Sequence, residues 1–544
     1  MKKQIINIIN FTRGTETRDA SVDVLQTTKN QMERLKRLGL RATFLFQYDA
    51  LSDKGFIETA LSYAGLFEYG LWLEVTRACV SSAGEIWLGR DCEWDWRGKI
   101  GNLIGYKAES RPKMIDAAMN KFKDVFGYFP KSVGSWALDA VTLKHLQSKY
   151  DISAACNCRE QWGTDGFTMW GGYYGQAYYP SKYNSLCPAQ TPEAQIGIPV
   201  FRMLGSDPVY QYDAGLSLTG GPSKSTAITL ETICTEAEGY VGGGVPYWVD
   251  WFFRENFNGK CLSFGYAQAG QENSFGWKAM KDGFIDQTSK ISKLEKEGKL
   301  EAVTMSEAGE WYKKNYKLTP PSAITAENDW QNKNRKSYWY NCKNYRINLY
   351  FDGEIFYIRD FFLFEETYKE RYLNAVCDSD CYVFDNLPVM DGYLFSGNGV
   401  RAGLYPADKK TGKGIKAAGA PVWKDIDGRS ATVTVPAKRF GKIIFTFSED
   451  GPAVSVEKAY ADFVLTAKVS IAGKKTVEIK DATVSAVLSK TAEIKDAETI
   501  GFTHNGFRYA LSLICGAAYR NERGELCVGA ETGRIEVRKG EKHE

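Results

Sequence analysis

Through roughly the first 320 residues, short apolar runs alternate with amphipathic stretches, the pattern of buried parallel strands covered by helices. IINIINF (5–11) reads as a first strand. A helix follows from about Asp19 to Leu38, with Val22, Leu25, Met32 and Leu35 on one face, and then a second strand, ATFLFQY (42–48). FEYGLWLEV (67–75) is a further buried strand, and Ser110-Arg111-Pro112 opens a helix that ends at Gly127, with cap, early proline and terminal glycine in their preferred places. SVGSWAL (132–138), ISAACNC (152–158), IPVFRML (198–204), CLSFGYA (261–267) and LEAVTMS (300–306) complete the strand candidates. The fold class is therefore α/β, and this many units predict a distorted (β/α)7-8 barrel over residues 1–320. After Thr319-Pro320-Pro321 the period changes to two in ATVTVPA, KIIFTFS, DFVLTAKVS and FRYALSLIC. Residues 321–400 read as a linker and the start of a β region, and 401–544 as an antiparallel β-sandwich.

Composition narrows the partners. The chain has 544 residues, with 44% hydrophobic and 25% charged, enough to bury a sizeable core. Lys plus Arg (69) nearly balances Asp plus Glu (66), so nothing draws a nucleic-acid backbone. No stretch approaches the roughly 20 apolar residues of a membrane helix. MKKQIINIINFTRG lacks the long apolar run and small-residue site of a cleavable leader, so a cytoplasmic protein with mostly free thiols among its 12 cysteines is expected, with no membrane partner. A homo-oligomer is left open. Only three histidines exist, His145, His504 and His543, and none is near another, which leaves little material for a histidine-rich metal site or a Ser-His-Asp triad.

Aromatic residues are abundant: 14 Trp, 31 Tyr and 29 Phe, with every tryptophan but Trp423 lying before residue 340. Ligands of parallel α/β domains sit at the carboxyl ends of strands, so the polar residues closing each strand are where chemistry is expected. These are Arg13 after the first strand, Gln47 and Asp49 after the second, and Trp72 and Glu74 in the third. Trp94, Asp95 and Trp96 follow in a loop. Trp136 and Asp139, Trp162 and Asp165, Asp207, and Glu272 close later strands. Tryptophans stack on the apolar faces of sugar rings, and carboxylates and amides bind their hydroxyls, so carbohydrate is the expected substrate. Paired carboxylates also suffice for glycosidic hydrolysis without histidine, metal or other cofactor. Glu74, Asp139 and Glu272 are the expected catalytic carboxylates, with Glu272 as acid. Arg13, Gln47, Asp49, Trp72, Trp94, Asp95, Trp96, Trp136, Trp162, Asp165 and Asp207 are the expected substrate contacts. Simpler roles compete: Asp139 suits the N-cap of a helix over 140–149, and Glu74 suits a buried partner of Arg13 or Arg77.

The stretches IINIINFTRG, EYGLWLEV and SVGSWALDAVTLKHLQSKYDISAACNCREQW, in this order, resemble the distorted β/α barrel shared by polysaccharide deacetylases and glycoside hydrolase families 38 and 57, which often carry a β-sandwich behind the barrel. The resemblance implies a carbohydrate-acting enzyme. In that group, deacetylases hold a metal with an aspartate pair after strand one and two histidines after strand three, where this chain has Phe11-Thr12-Arg13 and Leu71-Trp72-Leu73-Glu74. The missing ligands disfavour a zinc-dependent deacetylase and point to a metal-independent glycoside hydrolase. The alternatives are a deacetylase or esterase with a carboxylate-bound metal, and a non-catalytic sugar-binding protein.

Overall fold

In the computed structural model, which describes residues 2–157, 172–203, 205–212, 228–236, 241–380, 382, 385–392, 396, 400–438, 440–457, 463–471, 492–522 and 524–540, the amino-terminal apolar run forms β1 (Gln4–Thr12), buried at every position. Strand β1 pairs in parallel with β2 (Thr43–Phe46), and the sheet continues through β3 (Glu68–Trp72), β4 (Ser132–Ser135), β5 (Ala154–Asn157) and β6 (Val200–Arg202). On its other side β1 pairs with β7 (Gly265–Ala269), and β8 (Glu301–Val303) also joins it. The sheet curls into a barrel, because side chains of alternate residues meet inside it: Ile5, Ile9, Phe11, Leu45, Trp72, Cys156, Phe201 and Tyr266 share one core. The other row, including Ile6, Ile8, Phe44, Phe46, Leu71, Val133 and Val200, packs on the surrounding helices. Among the described residues β6 and β7 do not pair, so the barrel stays open there, and the Phe201 and Tyr266 rings meet across the opening at 5.2 Å.

Local signals set the helix ends, with two differences from expectation. The first helix begins at Val24 rather than near Asp19, because Asp23 is the residue whose side chain accepts the free N–H of Gln26. The helix Arg111–Phe126 does end at Gly127, but Ser110 does not cap it; its hydroxyl donates to Glu85 at 2.8 Å instead.

Two antiparallel sheets follow and enclose a second core, with Tyr338, Ile347 and Phe361 from one sheet facing Val433, Phe445 and Leu511 from the other. The fold is thus an open β/α barrel followed by a β-sandwich. Residues 321–400, expected as a linker and the start of a β region, supply Ser322–Ala326, Arg335–Asn341, Tyr345–Asp352, Ile355–Leu363 and Leu387–Asp391 to one sheet. The two-residue period is present, as in Tyr345-Arg346-Ile347-Asn348-Leu349, where Tyr345, Ile347 and Leu349 join the sandwich core, but the intervening polar residues are buried too because both faces of the sheet are covered. Trp339 stacks on Tyr174 of the barrel region at 3.8 Å, and Arg359 donates to the Pro208 and Val209 carbonyls. No helix among the described residues is long and apolar enough to cross a membrane.

Candidate active site at the barrel mouth

Extending the inward row past the carboxyl end of each strand leads to Arg13 after β1, Gln47 after β2, Glu74 after β3, Trp136 after β4 and Glu272 after β7. These side chains meet. Arg13 donates from Nε and Nη2 to the two oxygens of Glu74 at 2.8 and 2.7 Å, and from Nη1 to Glu272 Oε1 at 3.0 Å. Glu74 also accepts from Gln47 Nε2 at 3.0 Å and from Trp136 Nε1 at 2.8 Å. Ser274 Oγ accepts from Arg13 Nη1 at 2.7 Å and donates to Glu272 Oε1 at 2.7 Å. Glycine at 270 makes the turn from β7 into Glu272 feasible: its φ is +105°, and a Cβ there would lie 2.0 Å from the Ile9 carbonyl oxygen.

The cluster has an aromatic floor and roof. Below it Phe11 stacks on Trp72 at 4.2 Å, with Trp136 edge-on to Trp72 at 5.8 Å. Above it the Trp94 ring lies 4.2 Å from the Arg13 guanidinium carbon, and Arg18 approaches the same ring at 5.4 Å. The roof loop is held by buried Asp95, which binds both Arg90 and Arg97. Burial raises the Asp95 pKa, but these arginine hydrogen bonds outweigh it and hold the carboxyl well below its usual range. Closed in this way, Arg13, Glu74 and Glu272 are only 1%, 4% and 1% exposed.

Beside the cluster stand two further carboxylates. Glu16 accepts from Arg18 Nε and Nη2 at 2.8 Å each; burial raises its pKa, but the Arg18 bonds and charge carry it below the usual value. Asp49, half-buried, accepts from Thr76 Oγ1 at 2.7 Å. Burial pushes its carboxyl up to about 6, opposed by the Thr76 bond and assisted by the charge of Glu93. Gly14 permits this burial, since a Cβ there would lie 2.6 Å from the Asp49 carbonyl carbon.

The remaining expected residues lie elsewhere or serve other contacts. Asp139 is engaged as the N-cap of Ala140–Lys149, accepting from Val141 N at 3.0 Å and Thr142 N at 3.1 Å, and pairs with Arg111 at 2.9 Å. It neighbours Glu370, whose carboxyl is pushed up to about 7 by burial and then by the Asp139 charge. Asp207 is fully buried, accepting from the Val209 and Tyr210 amides and from the indoles of Trp248 and Trp330; burial raises its pKa. Trp96 packs, partly buried, against Ile104, Ala137 and Tyr372. Trp162 and Asp165 lie outside the described residues. Arg18, Thr76 and Ser274 were not singled out from the sequence; Thr76 and Ser274 each stand two places after a proposed glutamate, a spacing that marks them as neighbours on an extended chain. Among the described residues, no group of three or more histidine, cysteine or carboxylate side chains is arranged to hold a metal ion.

Residues 97–319 match the model of a family described as a domain of unknown function with a solved structure, DUF3863. No curated protein matches the chain. Among solved structures, the chain is similar to a Parabacteroides distasonis protein described as a candidate glycoside hydrolase/deacetylase, with 18% identity, 72% of this chain and 90% of that one covered, and a TM-score of 0.49. A candidate polysaccharide deacetylase from Mycobacterium smegmatis matches with 12% identity, coverage of 59% and 93%, and a TM-score of 0.36. A family 57 branching enzyme from Thermococcus kodakaraensis matches with 11% identity, coverage of 58% and 72%, and a TM-score of 0.32.

Proposed function

We propose that this chain is a glycan-acting hydrolase that works with carboxylates at the carboxyl end of its barrel. The observation that carries this reading is the convergence of Glu74 and Glu272, from the ends of β3 and β7, on one aromatic-walled layer with Asp49 at its edge. Glu74 accepts four hydrogen bonds, the bonding pattern of an anion, which suits a nucleophile or base. Glu272 likewise accepts from Arg13 and Ser274, which argues against the acid role expected for it. We assign the proton donor to Asp49, which is half-buried and holds its proton up to about pH 6.

The test is hydrolysis of a panel of aryl glycosides by wild type, Asp49→Asn and Glu74→Gln. Each variant should lose about 10² to 10⁴ in turnover. Because the donor must be protonated, wild-type turnover should fall as pH rises through about 6, and Asp49→Asn should lack that limb. Full activity in both variants sinks the reading, and acetyl release without glycoside cleavage replaces it with a deacetylase. One observation favours a second reading, a sugar-binding protein without turnover: Arg13 fills the space between the two glutamates and is 1% exposed. Glycan binding by wild type with no turnover, unchanged in Glu74→Gln, would establish that alternative.

A further inference from the structure

The β-sandwich region contains a cleft of about 810 Å³, lined entirely by residues between Asn334 and Phe440 and sharing none with the barrel mouth. This is within the size range of small-ligand sites. One wall is the segment 411–421, TGKGIKAAGAP, which carries two lysines and no acidic residue. It is fixed across the edges of both sheets: Ile415 N donates to the Pro406 carbonyl at 2.9 Å, Ala417 N to Glu354 at 2.8 Å and Ala418 N to Pro436 at 2.7 Å.

Charges in the cleft are unequal. Lys336, Lys413, Lys416 and Lys438 line it against Glu354 and Asp408. Both carboxylates are already engaged. Asp408 is buried and accepts from the Thr411 amide and hydroxyl at 2.9 and 3.1 Å within its own turn, while Glu354 pairs with Lys416 at 3.2 Å. Lys336 donates to the Glu327 carbonyl. Lys413 and Lys438 are exposed and form no ion pair among the described residues. Half-buried Ile415 and Pro421 supply an apolar floor, backed by buried Phe351 and Phe440.

We infer that this cleft is an accessory binding site for an anionic oligosaccharide, whose carboxylate or sulfate groups meet Lys413 and Lys438 while its rings lie on the apolar floor. Lysine acts as a point charge for such groups, and the small Gly and Ala side chains of the wall let sugar rings approach the backbone. A polynucleotide would need a longer basic track than this bounded cleft and a net charge of +3 provide. The choice of a sugar over another anion rests on the glycan-acting reading above.

The experiment is calorimetric titration of the full chain with oligogalacturonate, chondroitin sulfate oligosaccharides, neutral cello-oligosaccharides and a short single-stranded DNA. Wild type should bind at least one of the anionic sugars, more weakly as salt rises, and should prefer it to the neutral sugar and the DNA. The galacturonate and chondroitin arms separate carboxylate from sulfate recognition. The double variant Lys413→Glu/Lys438→Glu should weaken binding by about tenfold or more through charge reversal. Lys413→Gln/Lys438→Gln should weaken it less, and serves as the test if charge reversal lowers the Tm. Failure of both anionic sugars to bind, equal binding of neutral sugar or DNA, or wild-type affinity in a well-folded lysine variant would each overturn the inference. Anionic-sugar binding without any hydrolysis leaves this site standing and removes only the hydrolase reading.

Discussion

Replacing Arg13 by methionine tests the organisation of the barrel mouth. The side chain donates two bonds to Glu74, one to Glu272 and one to Ser274, all in a layer where it is 1% exposed. Methionine preserves much of the volume and the contact with Trp94 but leaves two buried carboxylates without a guanidinium. Removing one partner of a buried ion pair costs about 3–5 kcal/mol, because the remaining charge has been taken out of water without compensation. Glu74 keeps Gln47 and Trp136, and Glu272 keeps Ser274, so the lower half of that range is expected at neutral pH. At about 2 °C per kcal/mol for a domain of this size, the barrel transition should fall by about 6–8 °C. The pH dependence is the sharper readout. Without Arg13, the buried carboxylates bind protons more tightly than in the unfolded chain. Their contribution to stability is then fully present at low pH and is lost as pH rises above the ordinary carboxylate range. Scanning calorimetry at about pH 5 and about pH 8, at equal ionic strength, should show the smaller deficit at pH 5. Adding Glu74→Gln and Glu272→Gln to the variant should recover most of the loss. A deficit below about 1 kcal/mol, or one equal at the two pH values, would refute the reasoning, since neither fits an uncompensated buried charge.

Glu370, pushed up to about 7 from its ordinary 4.5, takes up a proton on folding, so it should make the protein less stable as pH rises between those values; Glu370→Gln should flatten that slope, and a slope unchanged in the variant would exclude this carboxyl as its source. Gly270→Ala should cost about 1–3 kcal/mol, measured as a fall in Tm, because its φ of +105° and the 2.0 Å approach to the Ile9 oxygen leave no room for a methyl; a change within about 0.5 kcal/mol would show that the turn relaxes freely.

Much of the barrel was legible in the chain alone. The apolar run of β1, the alternation of strand and helix, the Asp139 cap and the Gly127 stop are decided by residues within a few positions of one another. The carboxyl ends of the strand candidates also singled out Arg13, Gln47, Glu74, Trp136 and Glu272 as residues of the barrel mouth. Residues 321–400 were harder to place, because Arg335–Asn341 and Tyr345–Asp352 are buried on both faces, so alternating polar residues such as Arg346 and Asn348 do not mark a solvent face. What those polar residues do to one another was not local information. Arg13 meets Glu74 across 61 positions and Glu272 across 259, and the joining of the two glutamates by one guanidinium exists only once the sheet has curled. Asp139 and Glu272 look alike in sequence, yet one caps a helix beside Arg111 and the other faces Arg13. The raised pKa of Asp49 has the same origin: desolvation depends on how much protein surrounds a carboxyl, and here Gly14 from a neighbouring strand end approaches closely, while the Thr76 hydroxyl opposes the rise. Periodicity and capping are short-range properties of a chain, whereas burial and Coulomb interaction depend on distance in space, so strand ends could be read from the sequence while the charges gathered there were set by the tertiary fold.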